Sequence, residues 1–141
     1  MPRNECKLVR AGQSRTGKQG LDLAVGISAQ SVGSDGLHLQ LLSIPPLGRA
    51  KAHKHIGHET AIFAFRGVSG CWYGDRLEHH AWVQAGDFFY IPADMPHLPY
   101  NPSDADDFVA LIARTDPNEQ ESVLLLPELD GLAHVQAPTL P

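Results

Sequence analysis

The chain is divided into short, β-prone apolar runs, and none of them carries a sustained helical repeat. Several runs alternate between apolar and polar residues, as in Leu37–Ile44, where His38 and Gln40 alternate with leucines. Gly (13) and Pro (11) are scattered between the runs, as tight turns require. The predicted strands are Leu21–Ser28, Leu37–Ile44, Thr60–Arg66, Gly70–Tyr73, His79–Val83, Phe88–Ile91 and Phe108–Arg114. This pattern predicts an all-β sandwich or barrel with at most short helical turns.

The size and charge of the chain limit the classes of partner that it can bind. Its 141 residues, 43% of them hydrophobic, suit one domain with a sizeable core. A formal net charge of −5 without a cluster of Lys and Arg disfavours binding to nucleic acid. No run of 18 apolar residues predicts a membrane span, and the polar stretch 1–10 lacks the features of a secretory signal. We therefore expect a cytoplasmic protein.

The C-terminal part reads as an extension of the barrel. We place the core barrel at about 21–114 and the extension at 115–141. Asp116 as an N-cap and Pro117 at the first helical position predict a short helix there. The apolar segment Val123–Pro127 either caps the barrel or contributes to a homodimer interface.

Three histidines and a glutamate lie within seven residues before the Thr60–Arg66 strand. His53 and His55 are two positions apart, so in a strand both imidazoles point to the same face. Glu59, after the bend at Ile56-Gly57, can complete the set with a carboxylate, and His58 is the alternative to it. Imidazole and carboxylate ligands suit Zn²⁺, Fe²⁺, Mn²⁺, Ni²⁺ or Co²⁺.

A fourth histidine follows a separate strand. His97 comes after Phe88–Ile91 and the turn at Pro92. From there it can supply a ligand from the opposite side of a barrel. The sequence therefore predicts one divalent metal ion bound by His53, His55 and His97.

The two segments together resemble the paired motifs of the cupin superfamily. The matching positions are Gly48, His53, His55, Glu59 and Gly67 in the first motif, and Gly86, Pro92, His97 and Asn101 in the second. Asp94 stands where the family usually has glycine. The resemblance implies a double-stranded β-helix, or jelly-roll barrel, with one metal in its mouth held by His53, His55, Glu59 and His97. It also implies a homodimer, since small cupins commonly pair.

The additional ligand stays open between Glu59 and His58. Counting back from Gly67 puts Thr60 at the strand position that usually carries the glutamate ligand. A set of four imidazoles would be less anionic and would favour Zn²⁺ or Ni²⁺ over Mn²⁺. Zinc is the expected metal, with iron, nickel and manganese as the other candidates.

The expected function is that of a small-molecule enzyme. The chain looks similar to zinc-containing polyketide cyclases of cupin fold, which implies a Lewis-acid metal and non-redox carbonyl chemistry, either cyclisation or isomerisation. His58 and Glu59 are the candidate catalytic residues, with His58 moving the proton. The alternatives are an iron-dependent dioxygenase on a small aromatic compound or thiol, and a non-catalytic metal- or ligand-binding module.

The predicted substrate is a small organic molecule, with aromatic compounds among the candidates. Alternation along Thr60–Arg66 places Thr60 and Ile62 on one face of that strand. An apolar, aromatic cavity lining would suit a flat organic molecule. The candidates for this lining are Trp72, Phe88, Tyr90, Met95 and Tyr100.

Overall fold

The computed structural model describes residues 5–10, 12 and 15–136 and contains mostly β-strands. The strands are β1 Arg15–Thr16, β2 Asp22–Ile27, β3 His38–Ile44, β4 His53–His55, β5 Thr60–Arg66, β6 Val68–Tyr73, β7 His79–Gln84, β8 Phe88–Ile91, β9 His97–Tyr100, β10 Phe108–Arg114 and β11 Val123–Leu125. The helices are α1 Ala29–Val32, α2 Pro127–Asp130 and α3 Ala133–Gln136. Every predicted strand is present, so the all-β prediction is confirmed.

The strands form two antiparallel sheets that face each other. One sheet has the order β1-β2-β3-β10-β5-β8, and the other has the order β11-β4-β9-β6-β7. Neighbours in the sheets are mostly distant in sequence, as when β10 pairs with both β3 and β5. This arrangement is the predicted double-stranded β-helix.

Alternation along the central strands sorts the side chains. Burial alternates without interruption along β3 and along β10. Leu42 and Ile44 of β3 stand opposite Ala110 and Phe108 of β10, and all four are buried. Burial of a large apolar side chain such as Leu42, Ile44 or Phe108 stabilises the fold by about 1.5–3 kcal/mol. These inward residues form the main core between the sheets.

Gly67 turns the chain from the first sheet into the second. It lies between β5 and β6 with φ 82°, a conformation that side chains rarely adopt. A Cβ atom there would approach the carbonyl oxygen of Asp107 to 2.6 Å. Only glycine therefore fits this sharp corner.

The extension after β10 differs from the prediction in one respect. The helix predicted to open at Asp116 is absent. The carboxylate of Asp116 instead accepts hydrogen bonds from the backbone N–H groups of Asn118 (3.0 Å) and Ser122 (3.4 Å). These bonds hold an irregular loop. Such local bonds compete with helix formation. The helices come later, where Leu129 and Val135 pack into a second core cluster.

Some predictions concern residues that are not described. Residues 1–4 of the polar N-terminal stretch and residues 137–141 of the extension lie outside the described part of the chain. Within 5–10, 12 and 15–136, the helices span four residues each, which is far less than a bilayer crossing requires.

Candidate metal centre

Three imidazoles converge on the inner face of the five-stranded sheet. His53 and His55 share a face of β4, as their i, i+2 spacing predicts, and His97 of β9 stands directly opposite His53 in the ladder. The ring centroids lie 4.2 Å apart for His53 and His97, 5.0 Å for His55 and His97, and 5.2 Å for His53 and His55. One ligand atom of each lies within 4.8 Å of the others, and all three residues are buried. The predicted histidine set is therefore assembled.

A hydrogen bond fixes the orientation of each ring. The Nδ1 atom of His53 donates to the carbonyl oxygen of Lys51 at 2.7 Å, and that of His97 donates to Met95 at 2.9 Å. His55 Nδ1 lies 3.0 Å from Glu121 Oε2. Because carbonyl and carboxylate oxygens accept, the proton of each neutral ring sits on Nδ1. The Nε2 lone pairs are left to bind a ligand.

Burial keeps two of these imidazoles neutral. It lowers the pKa of His53 to about 4, and the neighbouring His55 adds to the effect. Burial, together with the neighbouring His53 and His55, lowers the pKa of His97 well below its usual value. A metal binds the neutral form of imidazole, so the site does not have to lose these protons at neutral pH. The donor set, its tethers and its protonation therefore fit a divalent metal ion.

The acidic residue of the site is Glu121. Its Oε2 atom lies 3.0 Å from His55 Nδ1, 2.9 Å from His58 Nε2 and 3.2 Å from Arg114 Nε. Burial alone would raise the pKa of Glu121, but the hydrogen bond and charge of His55, together with Arg114 and His58, outweigh it and hold the pKa at about 2. An ionised carboxylate on the far nitrogen of a metal ligand orients the ring and raises its basicity.

Glu121 was not among the predicted site residues. It follows His55 by 66 positions, and no periodicity connects the two residues. The connection is made by β11, whose Val123 pairs with His55 and whose Leu125 pairs with His53. The apolar Val123–Leu125 run therefore forms the edge strand beside β4. This short apolar strand was the sequence signal that could have identified Glu121. A strand paired with β4 brings the loop before it, which contains Glu121, next to the histidines.

Glu59, predicted as the fourth ligand and as a catalytic residue, is not brought to the cluster. Its side chain is exposed, and its Oε1 atom accepts a hydrogen bond from the hydroxyl of Tyr90 at 2.6 Å. The bend at Gly57 (φ 72°) precedes it, and the next residue, Thr60, takes the inward position of β5. Glu59 therefore lies on the opposite face from the metal centre.

His58 is buried but lies behind Glu121. Its Nδ1 atom is 3.1 Å from the carbonyl oxygen of Ile56 and its Nε2 atom is 2.9 Å from Glu121. It groups with His55 and Glu121, whereas His53 and His97 belong to the other group. Among the described residues the four imidazoles thus do not form one cluster, and His58 reaches the site through the carboxylate.

Asp94 occupies the position at which the family usually has glycine. Its φ is 62°, in the left-handed region that Asp tolerates better than most residues. Its backbone N–H donates to the carbonyl oxygen of His55 at 2.9 Å, and its carboxylate accepts from Gly57 N at 3.2 Å. The substitution therefore keeps the turn and links it to the histidine loop.

A mostly apolar cavity of about 60 Å³ adjoins the three histidines. Its wall includes Thr60 and Ile62, which alternation had placed on one face of β5, and its phenylalanines are Phe89 and Phe108. The predicted aromatic lining is wrong in its members. Phe88 and Tyr90 are 83% and 57% exposed on the outer face of β8. The other predicted members, Trp72, Met95 and Tyr100, are also not among the residues that line it.

Similar folds are found among solved structures. A conserved double-stranded β-helix domain protein from Klebsiella pneumoniae matches at 14% identity and TM-score 0.63, over 79% of this chain and 88% of that one. A Cupin 2 conserved barrel domain protein from Salinispora arenicola matches at 17% identity and TM-score 0.65, over 79% and 91%. An oxalate decarboxylase from Lactobacillus farciminis, in a formate complex, matches at 18% and 0.67, over 81% of this chain and 33% of its own. These likenesses show the fold.

The sequence comparison gives the family. No curated protein matches the chain. The family model described as Cupin domain matches residues 40–113, which is 74 of 141 residues and includes the strands that carry His53, His55 and His97. The chain therefore belongs to the cupin family.

Proposed function

We propose that this chain is a metal-dependent enzyme for non-redox carbonyl chemistry, with one zinc ion bound by His53, His55 and His97. The observation that supports this most is the convergence of three tethered, buried imidazoles on a mostly apolar cavity. Three protein ligands leave coordination positions for a substrate. Such an ion supplies a Lewis acid that polarises a carbonyl oxygen and stabilises an enolate.

The ligand chemistry favours zinc. The three residues that converge are all histidines, and the nearby carboxylate of Glu121 is engaged by His55, His58 and Arg114. A set of neutral nitrogen ligands suits zinc or nickel better than manganese, which prefers oxygen. Three histidines with an open position are also an established arrangement for catalytic zinc.

The other residues of the site have distinct tasks. Glu121 keeps the His55 proton on Nδ1, so that Nε2 stays free. The apolar wall lowers the local dielectric constant, which strengthens electrostatic interactions inside the cavity. His58, the predicted proton carrier, contacts the cavity through Glu121, so a proton that it moves passes through that carboxylate.

The size of the cavity bears on the reaction. Cyclisation of a long polyketide chain needs far more room than about 60 Å³, whereas isomerisation of a compact carbonyl compound does not. Both reactions begin with removal of a proton next to the carbonyl group. We therefore favour enolisation and isomerisation of a small substrate.

Metal analysis tests the first part of the proposal. Protein purified without added metal should contain close to one zinc per chain by elemental analysis. The His97→Ala variant should lose it, and His79→Ala, which changes a side chain that is 62% exposed, should keep it. Iron together with substrate-dependent O₂ uptake would instead support the dioxygenase alternative.

Proton exchange tests the catalytic part. Zinc-loaded protein in D₂O should accelerate exchange at C3 of 2-oxobutyrate, followed by ¹H NMR, and His97→Ala should not. General acid–base steps typically contribute about 100- to 10,000-fold, so the effect should be easily measured. Bound zinc without exchange on a series of such carbonyl compounds would contradict catalysis and favour the binding-module alternative.

The homodimer and the cytoplasmic location also stay predictions. Light scattering coupled to size-exclusion chromatography tests the first.

A further inference from the structure

The cavity is polar at one end. Thr60 of β5 stands opposite Arg114 of β10 in the ladder. Arg114 contacts Glu121, which in turn contacts His55. Polar groups therefore line the cavity between Thr60 and the histidine cluster.

The other end is apolar. Farther along the same strands, Ile62 pairs with Ile112, and beyond them Leu42 and Ile44 face Ala110 and Phe108. Leu42, Ile44 and Phe108 line the cavity and are at most 6% exposed. A ligand that extends from the histidines into the barrel therefore meets hydrocarbon.

The charges at the polar end do not cancel once a metal is bound. Arg114 and Glu121 are the charged residues among the described side chains of the lining, and they pair at 3.2 Å. Three neutral imidazoles leave the charge of a divalent ion uncompensated. The site therefore attracts an anion.

One hydrogen-bonding group at this end is unused. Thr60 is 4% exposed and lines the cavity, yet its Oγ1 atom has no hydrogen-bond partner among the described residues. A buried hydroxyl without a partner costs about 1–3 kcal/mol. A ligand oxygen at this position would satisfy it.

The volume limits the size of the ligand. One water needs roughly 10–15 Å³ of cavity volume, so a cavity of about 60 Å³ holds about four to six waters. A molecule with about six non-hydrogen atoms fits.

We propose that the cavity binds a small monoanion with an apolar body, its carboxylate or enolate oxygen at the histidine cluster and Thr60, and its hydrocarbon against Leu42 and Ile44. This inference rests on the metal site of the proposed function. It assigns Thr60 as a specificity-determining residue.

Three probes of equal size test the ligand class. Butyrate, butyramide and 3-hydroxypropionate have the same number of non-hydrogen atoms, but butyramide lacks the charge and 3-hydroxypropionate has a polar tail. Calorimetry on zinc-loaded protein should show that butyrate binds about tenfold tighter than either of the others. Butyramide loses a charge-assisted hydrogen bond, and 3-hydroxypropionate buries a hydroxyl without a partner. Each loss costs at least about 1.4 kcal/mol of binding free energy. Equal affinities for the three probes would overturn the proposal.

The Thr60→Val variant tests the assigned residue. It should bind butyrate about tenfold more weakly, whereas Thr115→Val, at an exposed position, should bind it normally. The melting temperature of unliganded Thr60→Val should not fall, because the hydroxyl has no partner to lose. Unchanged butyrate affinity, or a clear loss of stability, would contradict the assignment.

Zinc stoichiometry separates the two proposals. If zinc binds at one per chain and the three probes do not differ, the ligand class is wrong and the metal site stands. If zinc does not bind to wild-type protein, both proposals fail.

Discussion

Histidines occupy both faces of the five-stranded sheet, and the two faces use them differently. On the inner face, His53, His55 and His97 each bring one ring nitrogen within 4.8 Å of the others. On the outer face, His80 packs edge-on against two indole rings, Trp72 at 4.5 Å and Trp82 at 4.6 Å. The inner histidines therefore share a potential ligand, and the outer one packs as an aromatic ring.

Hydrogen bonding explains the difference. His80 uses Nε2 on the hydroxyl of Tyr100 at 2.8 Å, and His134 of α3 uses its Nε2 on the carbonyl oxygen of Leu77 at 2.8 Å. The inner rings are tethered at Nδ1, as His53 is to Lys51. Burial and aromatic contacts are common to both faces. What distinguishes a metal centre is which nitrogen its tethers leave free.

The largest effect should come from removing an inner histidine. His97→Ala should lose stoichiometric metal, because two imidazoles remain of three. Its affinity should fall by more than the roughly 10- to 100-fold typical of residues that only support a ligand. His80→Ala is the matched change on the outer face and should keep the metal. Equal metal content in the two variants, measured by elemental analysis, would remove the distinction between the faces.

A second large effect should follow from Glu121→Gln. The amide keeps the shape but loses the charge that orients His55, so metal affinity should fall by about 10- to 100-fold. Arg114 would also lose its buried charge partner, which should destabilise the protein by about 3 kcal/mol. Competition with a zinc chelator and urea unfolding measure the two effects. Wild-type affinity would show that His55 needs no ionised tether.

The pH dependence of stability should be similar in size to the effect of Glu121→Gln and should come mainly from the inner face. The folded-state pKa of His53, about 4, lies below its usual value of 6.5, so the unfolded chain takes up a proton first as the pH falls. The stability of metal-free protein should therefore decrease between pH 6.5 and 4, by about 3 kcal/mol from His53 alone. Urea unfolding across this range measures the slope.

A matched pair of variants assigns that slope. His53→Gln should reduce it and leave the contribution of His97, and His80→Gln on the outer face should keep most of it. An unchanged slope in His53→Gln would show that other groups cause it.

The smallest effect should come from Glu59→Gln. Its carboxylate is exposed and bound to Tyr90, so metal content should not change and stability should shift by no more than about 0.5 kcal/mol. Elemental analysis and thermal unfolding check both. Loss of the metal would return Glu59 to the ligand set and contradict the geometry of the inner face.

The sequence predicted what local alternation can reveal. His53 and His55 lie two apart within one strand, so their common direction follows from the backbone alone. His97 could be added because a proline turn placed it on the next strand. The strand Thr60–Arg66 was predicted with the observed ends, since Gly67 terminates it.

The other residues of the site could not be predicted, because their positions depend on contacts that alternation along a strand does not encode. Phe88–Ile91 is apolar at every position, so the pattern could not tell that Phe89 faces inward and Phe88 outward. The bend at Gly57 moved Glu59 to the outside. Glu121 required knowing that β11 would pair with β4, a contact between segments more than 60 residues apart.

The pairing of β11 with β4 also affects how this protein can be shortened. The family match ends at residue 113 and the last long strand at Arg114, both before Glu121. A truncation made at that boundary would retain the paired strands of the larger sheet but remove the carboxylate beside His55. Boundaries drawn around the family match alone would thus cut through the candidate metal site, whose last component is encoded downstream of it.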